Sequence, residues 1–576
     1  MGYGEAILGI SEEHDAGVAL IEEGRIVLAS NEERYSRVKF HRGLPGRSLD
    51  WLLTQRRKQG KSIPKEIAVA SRFHVGSNLG DWYHLDTKYE IVERLFSLTG
   101  LDRLLGGTSV GPSILRCAAL FERPEREHRI RTWVSGYGIE NPRITFVDHH
   151  TAHATAAYYT SGWKSSLVIT QDASGDGWCS KVFVGEGGRL REVHAVPFFH
   201  SPGHYYEYVT FMLGFKLGRE GKVTGLAASG NPDKTYPIFL SEMHYDSDHK
   251  RYVNHALYRK REIDRLKLRL FGISREDIAS GVQKHLSEMM MKYIVDMIKD
   301  YAARTPVNLA VAGGVFANVK LNGSLASLPQ VRELYVYPHM GDGGLAAGAA
   351  FSLAAISGLR PKRISDVYLG DSPSERDIRA VIGVYKKRIR VAKPKDLSGR
   401  IARALHHGHV VAIVRGRMEY GPRALGHRSL LVRATDPRVN DWLNRRLRRS
   451  EFMPFAPILR QGDLGRYFKG SEKVMSSLPF MTVTLSCNAR CKREAPAIVH
   501  VDGSARPQVV TRGVEPFIYD VLTQYARLSG LRILINTSYN IHEEPIVRTP
   551  EEAIETFLTG SIDVLILGDY YITRRS

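Results

Sequence analysis

Two histidines, His149 and His153, lie four residues apart in an alanine-rich stretch between Val147 and Tyr159. Alanine favours helix, and side chains four residues apart project from the same face of a helix. Two neutral imidazoles placed in this way can bind one divalent metal ion if a carboxylate joins them. The alternative is a capped helix with one structural histidine, so the metal site needs an acidic partner from elsewhere in the chain.

Two aspartates with neighbouring glycines could supply that carboxylate. Asp172 follows the apolar residues 166–171 and is expected to begin a turn that ends at Gly177. Asp342 stands in a Gly-Asp-Gly-Gly sequence, just before a stretch of small residues at 345–355 that predicts a helix. Because both aspartates are present, the sequence favours the metal site over the structural alternative.

The N-terminal part of the chain carries one pattern of elements twice. The first copy has a predicted strand at 5–11 and a hairpin at 17–30. The second copy has a strand at 167–170, an acidic turn at 172–177 and a hairpin at 180–197. This order resembles the actin-like ATPase superfamily, in which two related α/β lobes hold a nucleotide phosphate between their turns.

The remaining elements are expected to form the rest of that domain and a second α/β unit. Apolar residues at helical spacing predict a helix over 280–303, and 308–318 is typical of a buried strand that enters a double-glycine turn. A linker is expected at 358–365. Buried strands are predicted beyond it, at 410–414 and 531–535.

Composition limits the classes of protein that the chain can represent. At 576 residues it is too long for one core, so two or three domains are expected. Its net charge of +20 would attract nucleic acid and small phosphates alike. The basic residues are mostly dispersed and not interleaved with aromatic residues, so a nucleic-acid partner is not favoured.

The sequence indicates a cytoplasmic protein without a membrane anchor. It has no run of about 18 apolar residues and no secretory signal at its N-terminus. The cysteines number only 4 and are scattered, so all are expected to be free thiols in a reducing compartment.

Arginines gather near predicted strands in the C-terminal half of the chain. Planar guanidinium groups bind phosphate oxygens through two hydrogen bonds at once, which lysine cannot do. We therefore expect an anion pocket, to which Asn536, Thr537 and Ser538 at the end of a strand add small polar groups. The arginines expected there are Arg423, Arg428, Arg448, Arg449 and Arg506. A Walker A sequence is absent, so an ATP site here would not be a P-loop.

His14 is the candidate general base. It lies in the turn of the first copy that would face phosphate, and an unperturbed histidine titrates near pH 6.5, which suits the removal of a hydroxyl proton. Glu12 and Asp15 are close enough in sequence to orient the ring. The alternative for a histidine in a turn is simple exposure to solvent.

Six motifs together resemble the nodulation-type O-carbamoyltransferases, a family that includes antibiotic-tailoring enzymes acting on aminoglycosides, ansamycins and cephems. The motifs occur in the family's order and span essentially the whole chain. They lie at 149–159, 312–318, 342–350, 421–429, 454–457 and 536–540. Met453 stands where some relatives have arginine, so Arg448 or Arg449 would have to supply that anion contact.

This resemblance implies two domains and two active sites. Residues 1–360 would form an actin-like (ASKHA) two-lobed transferase domain, and 361–576 a YrdC-like α/β domain. The second domain would join carbamoyl phosphate and ATP into carbamoyl adenylate and release pyrophosphate. The first would hold the adenylate on a divalent metal, with Fe²⁺ favoured over Mn²⁺ or Mg²⁺, and pass the carbamoyl group to a hydroxyl of a small molecule.

The resemblance also assigns functions to individual residues. His149, His153 and Asp342 would be metal ligands, and Asp172 would bind the metal or the adenylate phosphate. Glu12 and His14 would act on the acceptor hydroxyl. The positions implied in binding the adenylate are Lys39, Gly203, Gly314 and Asn318, and those implied in binding carbamoyl phosphate and ATP are Arg423, Arg506, Asn536 and Ser538.

Other classes share parts of this pattern. A tRNA threonylcarbamoyl transferase would suit the positive charge, but it would lack the arginine-rich domain after the metal domain. A hydrogenase maturation factor would carry paired CxxC zinc fingers and the reverse domain order, and neither is present. An actin-like relative of the sugar kinases that only binds nucleotide is the third alternative. The acceptor cannot be identified from the sequence, and a homodimer is left open.

Overall fold

The computed structural model describes residues 6–72, 110–216, 218–256, 260–302, 304–356, 358, 360, 362–447, 455–541 and 544–575, without the side chains of 110–122 and 260. The chain forms two compact units. Unit 1 contains Met1–Val27 and Arg42–Arg363, and unit 2 contains Leu28–His41 and Ile364–Ser576. The sequence places a single boundary between 360 and 361, whereas the structure also assigns the short segment 28–41 to unit 2.

The first sheet of unit 1 is formed around a buried central strand. Its strands are β1 (Ile7–Ser11), β2 (Gly17–Glu22), β3 (Arg25–Asn31), β4 (Glu66–Ala70) and β5 (Arg143–Val147), and the chain passes into unit 2 within β3. Their order across the sheet is β3-β2-β1-β4-β5. β1 pairs antiparallel with β2 and parallel with β4, which pairs parallel with β5.

The second sheet repeats this arrangement. Its strands are β6 (Ser165–Gly175), β7 (Trp178–Glu186), β8 (Arg189–Pro197), β11 (Val307–Ala312) and β12 (Val331–Val336). Their order is β8-β7-β6-β11-β12, so the third, second, first, fourth and fifth strands of each copy are neighbours. The duplication is therefore confirmed, and unit 1 has the two-lobed actin-like fold that the sequence predicts. A small hairpin of β9 (Met243–Asp246) and β10 (Arg251–Asn254) is added to it.

Helices cover these sheets. They are α2 (Gly46–Lys58), α3 (Val110–Ser135), α4 (His149–Ser161), α5 (Pro202–Met212), α6 (Glu220–Leu226), α7 (Tyr236–Glu242), α8 (Lys260–Arg269), α9 (Arg275–Tyr301), α10 (Val319–Ser327) and α11 (Leu345–Ala355). The predicted helices at 149–159, 280–303 and 345–355 are confirmed as α4, α9 and α11. α11 packs against β1, β4 and α4, which brings the turns at the ends of the two copies close to one another.

Glycines make this close packing possible. A Cβ atom on Gly348 would lie 1.9 Å from the carbonyl oxygen of Ala152 in α4, and one on Gly9 would lie 1.8 Å from that of Ala346 in α11. The side chain of Thr155 hydrogen bonds to the Gly348 carbonyl at 2.7 Å. Backbones therefore touch where α4 and α11 cross, and larger residues would push the helix away from its neighbours.

Unit 2 is built on a mixed eight-stranded sheet. Its order is β13-β23-β22-β14-β15-β21-β16-β20. The strands are β13 (Ile389–Ala392), β14 (Val411–Val414), β15 (Arg428–Arg433), β16 (Ala456–Arg460), β20 (Gln508–Val510), β21 (Ile533–Ser538), β22 (Val564–Leu567) and β23 (Tyr570–Arg574). A second, three-stranded sheet contains β17 (Phe468–Lys469), β18 (Leu485–Cys487) and β19 (Ser504–Ala505). This α/β domain is consistent with the YrdC-like fold that the sequence predicts.

The helices of unit 2 include one from the N-terminal segment. They are α1 (Glu33–Ser36), α12 (Glu375–Tyr385), α13 (Leu397–His406), α14 (Val439–Arg446), α15 (Leu464–Tyr467), α16 (Ala489–Glu494), α17 (Pro516–Ser529) and α18 (Pro550–Thr559). Ser374 begins α12 through a capping box with Asp377. α13 and α17 cover one apolar face of the sheet, where Ile413, Leu431 and Leu534 are buried.

One local expectation is corrected by the structure. Asp172 does not begin a turn, because β6 continues to Gly175 through an irregular pairing between Gln171 and Gly175. The turn consists of Asp176 and Gly177, whose φ angles of 51° and 86° match a two-residue Asp-Gly hairpin. Asn536 to Ser538 are the last three residues of β21, so they lie at the end of a strand, as expected.

Of the four cysteines, Cys179, Cys487 and Cys491 are free, as expected, and Cys117 lies outside the described side chains. Among the described residues, no helix has the length and apolar character that crossing a membrane requires.

Gly348→Ala should destabilise unit 1 by about 1–3 kcal/mol, because its methyl group would overlap the Ala152 carbonyl. Gly383→Ala, in the last turn of α12, is the matched control, since a Cβ there would meet no atom within 4 Å. That change should raise stability by up to about 1 kcal/mol, because alanine favours helix. Thermal unfolding followed by circular dichroism measures both. Equal midpoints for Gly348→Ala and the wild type would contradict the close packing of α4 and α11.

Candidate metal centre and anion pocket

The metal candidate is built on the first turns of α4. Asp148 begins this helix, because its Oδ1 accepts a hydrogen bond from the Thr151 N–H at 2.9 Å. His149 and His153 are one turn apart and both are 1% exposed. Their ring centroids are 4.8 Å apart, so the two imidazoles point into the same buried space.

Two aspartates meet these imidazoles, Asp172 from β6 and Asp342 from the short 3-10 turn before α11. His153 Nε2 lies 3.2 Å from Asp172 Oδ2 and 3.5 Å from Asp342 Oδ1. His149 Nε2 lies 3.8 Å and 3.7 Å from the same two oxygens. The ligand atoms of all four residues lie within 4.8 Å of one another. The structure therefore brings together the four side chains that the sequence proposes as metal ligands.

The electrostatics of this cluster are dominated by burial and opposite charges. Burial lowers the pKa of His149, but Asp342 and Asp172 outweigh it and raise that pKa to about 10. Burial would raise the pKa of Asp172, yet the two histidines bring it well below its usual range. Neither histidine Nε2 makes a hydrogen bond of good geometry to any described residue. A positive charge is thus required here, as a proton or as a bound cation.

His150, between the two, has a structural function. Its Nε2 donates to the Trp178 carbonyl at 3.0 Å, and its Nδ1 faces the Thr170 hydroxyl at 2.8 Å. Burial lowers the pKa of His150 to about 3, so the ring is neutral. The structural alternative that the sequence allows therefore applies to His150 and not to its two neighbours.

The orientation of His149 is set by residues that the sequence analysis did not identify. Its Nδ1 lies 3.2 Å from the Ser71 hydroxyl, and its backbone N–H donates to Asp176 Oδ2 at 2.7 Å. Ser71 has a φ of 63°, which is uncommon for serine. Glu13 Oε2 lies 3.8 Å from the same Nδ1. Only Asp176, within the glycine-rich turn, had a sequence signal that could have pointed to it.

Glycine positions bring backbone close to Asp172. The Gly314 N–H donates to Asp172 Oδ2 at 2.9 Å, and a Cβ on Gly203 would lie 3.0 Å from the Asp172 carbonyl oxygen. Asn318 begins α10 by accepting the Leu321 N–H, and its amide donates to Gln283 at 2.8 Å. Gly203 and Gly314 thus adjoin the cluster, whereas Asn318 caps a helix. The function of all three residues in adenylate binding stays a prediction.

His14 is paired with its neighbour in the turn after β1. Its Nδ1 lies 3.3 Å from Asp15 Oδ2. Burial lowers the pKa of His14, but Asp15, with a smaller effect of Asp342, raises it to about 9. The ring therefore carries a proton at neutral pH, and it must lose this proton before it can act as a base.

Glu12 is held by two arginines of α3. Its Oε1 accepts from Arg126 Nε at 2.6 Å and its Oε2 from Arg129 at 2.8 Å. Arg126 also donates to the carbonyls of Ala70 and Ser71. These contacts connect Glu12, through Arg126, to the backbone beside His149. The action of Glu12 on an acceptor hydroxyl stays a prediction.

Two further carboxyl groups near the cluster were missed by the sequence analysis. Burial raises the pKa of Glu207 well above its usual range, with Glu220, Asp172 and Asp342 adding to the effect. Burial also raises the pKa of Glu220. Glu207 is four residues after Gly203 and so lies on the same face of α5, which is the signal that could have identified it.

The anion candidate in unit 2 contains Arg423 and Arg506. Both are partly buried, and Arg423 Nε has no hydrogen-bond partner among the described residues. Burial lowers the pKa of Arg423 to about 10. Burial also lowers the pKa of Arg506 well below its usual range, and the nearby charge of Arg423 adds to this effect. The two positive charges thus act on one another in a partly buried place, which is typical of a pocket that binds an anion.

The other predicted members of this pocket differ in their surroundings. Asn536 is buried and donates to the Ala424 carbonyl at 3.1 Å and to Gln508 at 2.6 Å, so it supports the loop that carries Arg423. Ser538 donates to Asn540 Oδ1 at 2.6 Å. Lys39 belongs to the segment 28–41 of unit 2, near the Phe40 ring. Arg448 and Arg449 lie outside the described residues.

Arg428 corrects the sequence analysis, which groups it with the anion-binding arginines. The side chain is fully buried, and it donates to the carbonyls of Gly416, His427 and Asp371 at 3.0–3.3 Å. Its guanidinium is therefore used to hold backbone turns together. The sequence could not distinguish it from Arg423, since both lie in the same glycine-bounded loop.

Comparison with known proteins assigns the family. Residues 6–351 match the family model described as the carbamoyltransferase N-terminus, and 402–574 match the carbamoyltransferase C-terminus. The first match alone spans more than half of the chain. The chain therefore belongs to the carbamoyltransferase family, whose members transfer carbamoyl groups.

Two curated relatives cover most of the chain. Nodulation protein NolNO of Sinorhizobium fredii is 29% identical over 573 residues, which are 98% of this chain and 79% of that protein. Nodulation protein NolO of Bradyrhizobium diazoefficiens is 32% identical over 439 residues, which are 74% of this chain and 79% of that protein. These similarities confirm the resemblance to nodulation-type proteins.

Among solved structures, the match to HypF of T. kodakarensis covers 62% of this chain and 48% of the HypF chain, with a TM-score of 0.35 and 12% identity. The fold of unit 1 is defined by the strand order of its two sheets.

His153→Ala should abolish tight binding of one divalent ion, because it removes a ligand atom from the centre of the cluster. Isothermal titration calorimetry with Mn²⁺ measures this directly on the full chain. His150→Asn is the matched control, since His150 is buried in the same helix but faces Thr170 and Trp178. If both variants bound Mn²⁺ like the wild type, the cluster would not be a metal site.

Proposed function

We propose that this protein is an ATP-dependent O-carbamoyltransferase with one reaction site in each unit. Unit 2 would make carbamoyl adenylate, and unit 1 would transfer its carbamoyl group to a hydroxyl of a small natural-product or sugar-like acceptor. The observation that carries the proposal is the buried convergence of His149, His153, Asp172 and Asp342. Membership of the carbamoyltransferase family supports the reaction class.

The first half-reaction suits the arginine pair of unit 2. Carbamoyl phosphate, ATP and one water give carbamoyl adenylate, phosphate and pyrophosphate, with the carbamate oxygen bonded to the α-phosphorus. All of these species except water carry phosphate charge. Arg423 and Arg506 are partly buried, and burial lowers the pKa of both, with the charge of Arg423 adding to the effect at Arg506. An anion bound between them would offset both effects. Guanidinium groups also bind phosphate oxygens in pairs.

The cluster of unit 1 fits a divalent ion. Two imidazole nitrogens and two carboxylates form a donor set that suits Fe²⁺ or Mn²⁺ better than Mg²⁺, which prefers oxygen ligands. Both Nε2 atoms lack hydrogen bonds to described residues, as free ligand atoms would. When bound, the ion would supply Lewis-acid stabilisation of phosphate charge. Gly314 and Gly203, beside Asp172, would let the adenylate approach the backbone.

The second half-reaction needs a group that accepts a proton. The acceptor oxygen would attack the carbamoyl carbon, AMP would leave, and the hydroxyl proton would pass to a nearby base. His14 is our candidate, because it lies near Asp342 and is held by Asp15. Its raised pKa means that only the deprotonated fraction can accept this proton, so the transfer rate should rise with pH through neutrality.

Substitutions in the two sites should separate the half-reactions. Arg423→Ala should lower carbamoyl phosphate-dependent pyrophosphate release from ATP about 100-fold or more, the scale seen when one charge-stabilising donor is removed. Asp342→Ala should retain that release but lose transfer to acceptor. An enzyme-coupled pyrophosphate assay and mass spectrometry for the gain of one carbamoyl group measure the two steps.

Two controls complete this experiment. Arg512→Ala removes an exposed arginine paired with Asp520 and should leave both steps intact, because surface ion pairs contribute little. A screen of hydroxyl compounds with the wild type identifies the acceptor. Equal loss of both steps in Arg423→Ala and Asp342→Ala would contradict the division of work between the units.

A further inference from the structure

The loop that carries Arg423, residues 419–428, is firmly held on the C-terminal side of this arginine. Glu419 is buried, and its Oε1 accepts backbone N–H groups of Leu425, His427 and Arg428 at 2.7, 2.9 and 3.2 Å. A buried carboxylate with three such bonds fixes the backbone from 425 to 428. The position of Arg423 therefore depends on what holds the loop on its other side.

On the N-terminal side, the contact comes from a distant part of the sequence. Arg34 Nη2 donates to the carbonyl oxygen of Gly421 at 3.0 Å in a buried position. Gly421 has a φ of 136°, a conformation that only glycine adopts readily, so its own backbone does not restrain this carbonyl. The bond from Arg34 supplies the restraint that the glycine lacks.

The residue between Gly421 and Arg423 transmits this restraint. The Gly421 carbonyl belongs to the peptide bond of Pro422, and such a peptide is planar. The proline ring fixes the next dihedral angle near −65°. Once Arg34 sets the orientation of the 421–422 peptide, few rotations remain before the Cα atom of Arg423. A change in that orientation would move the Arg423 guanidinium relative to Arg506.

Arg34 is itself firmly anchored in unit 2. It is 5% exposed and forms an ion pair with Glu33 at 3.0 Å. Arg37, in the same segment 28–41, donates to the carbonyls of Pro545 and Ile546 at 2.9 Å each. The segment thus holds two separate loops of unit 2, although more than 300 residues separate it from them in the sequence.

We propose that Arg34 is a positioning residue of the anion pocket, which orients Arg423 through the Gly421–Pro422 peptide. The segment 28–41 would then be a functional part of the unit 2 site and not only a connection within the N-terminal region. This inference rests on the proposed function, because it takes Arg423 as a ligand of carbamoyl phosphate or ATP.

The test measures pyrophosphate release by the full chain at varied carbamoyl phosphate and ATP concentrations. Arg34→Met should raise the KM for a phosphate substrate about 10-fold or more, with a smaller change in kcat, the scale on which loss of one hydrogen bond to a charged group acts. Arg34→Lys keeps one donor for the Gly421 carbonyl and should recover part of the wild-type KM. If Arg34 had only a structural function, KM would recover in Arg34→Lys only as far as the stability recovers.

Arg460→Met is the matched control for stability. Arg460 is a partly buried arginine of unit 2 that pairs with Asp463 at 2.7 Å and donates to Thr523 at 3.0 Å, away from the 419–428 loop. It should lower the thermal unfolding midpoint without raising KM. If Arg460→Met raised KM as much as Arg34→Met, the proposal would be overturned, because general loss of stability would explain both.

A double substitution tests whether Arg34 acts through Arg423. In an Arg423→Lys background, the added Arg34→Met change should raise KM much less than it does in the wild type, since coupled residues are non-additive. Full additivity would overturn the proposal. If Arg34→Met had the wild-type KM while Arg423→Ala was inactive, the positioning proposal would be overturned and the proposed function would remain. Wild-type activity of Arg423→Ala would overturn the proposed function itself.

Discussion

The structure of unit 1 depends on the compensation of negative charge where β6, the turn before α11 and the helix α4 meet. Asp172 and Asp342 enter a space where His149 and His153 are 1% exposed, and carboxylates so placed are unfavourable without a positive partner. The raised pKa of His149 means that its imidazole is protonated, and this proton supplies the positive charge. A divalent ion would supply it equally well and displace the proton, so metal binding and proton release would be coupled.

Unit 2 presents the opposite problem of uncompensated positive charge. The charge of Arg423 acts on Arg506. Arg428, from the same loop as Arg423, donates its hydrogen bonds to backbone carbonyls. The fold separates one arginine that holds the loop from one that remains available to a ligand. Glu419 and Arg34 fix the loop from both sides, which keeps the available guanidinium in place at little further entropic cost when an anion binds.

Much of the fold could be predicted because it follows local rules. The Asp148 cap and alanine-rich turns define α4, the capping box at Ser374 begins α12, and the repeated strand and hairpin pattern gives two sheets of the same order. The predicted turn at Asp172 was wrong, because pairing with β7 extends β6 to Gly175. Pairing between distant strands depends on both strands, and a short stretch of sequence contains only one of them.

The sequence by itself determined the four cluster side chains, the arginine-rich loops and the duplicated domain, since residue type and spacing carry that information. Only the tertiary structure decided which polar groups are free. It showed that Arg428 and His150 are engaged by carbonyls, that Glu12 is paired with Arg126, and that Arg34 reaches Gly421. Those differences arise from contacts between residues far apart in the chain, so neighbouring sequence does not encode them separately.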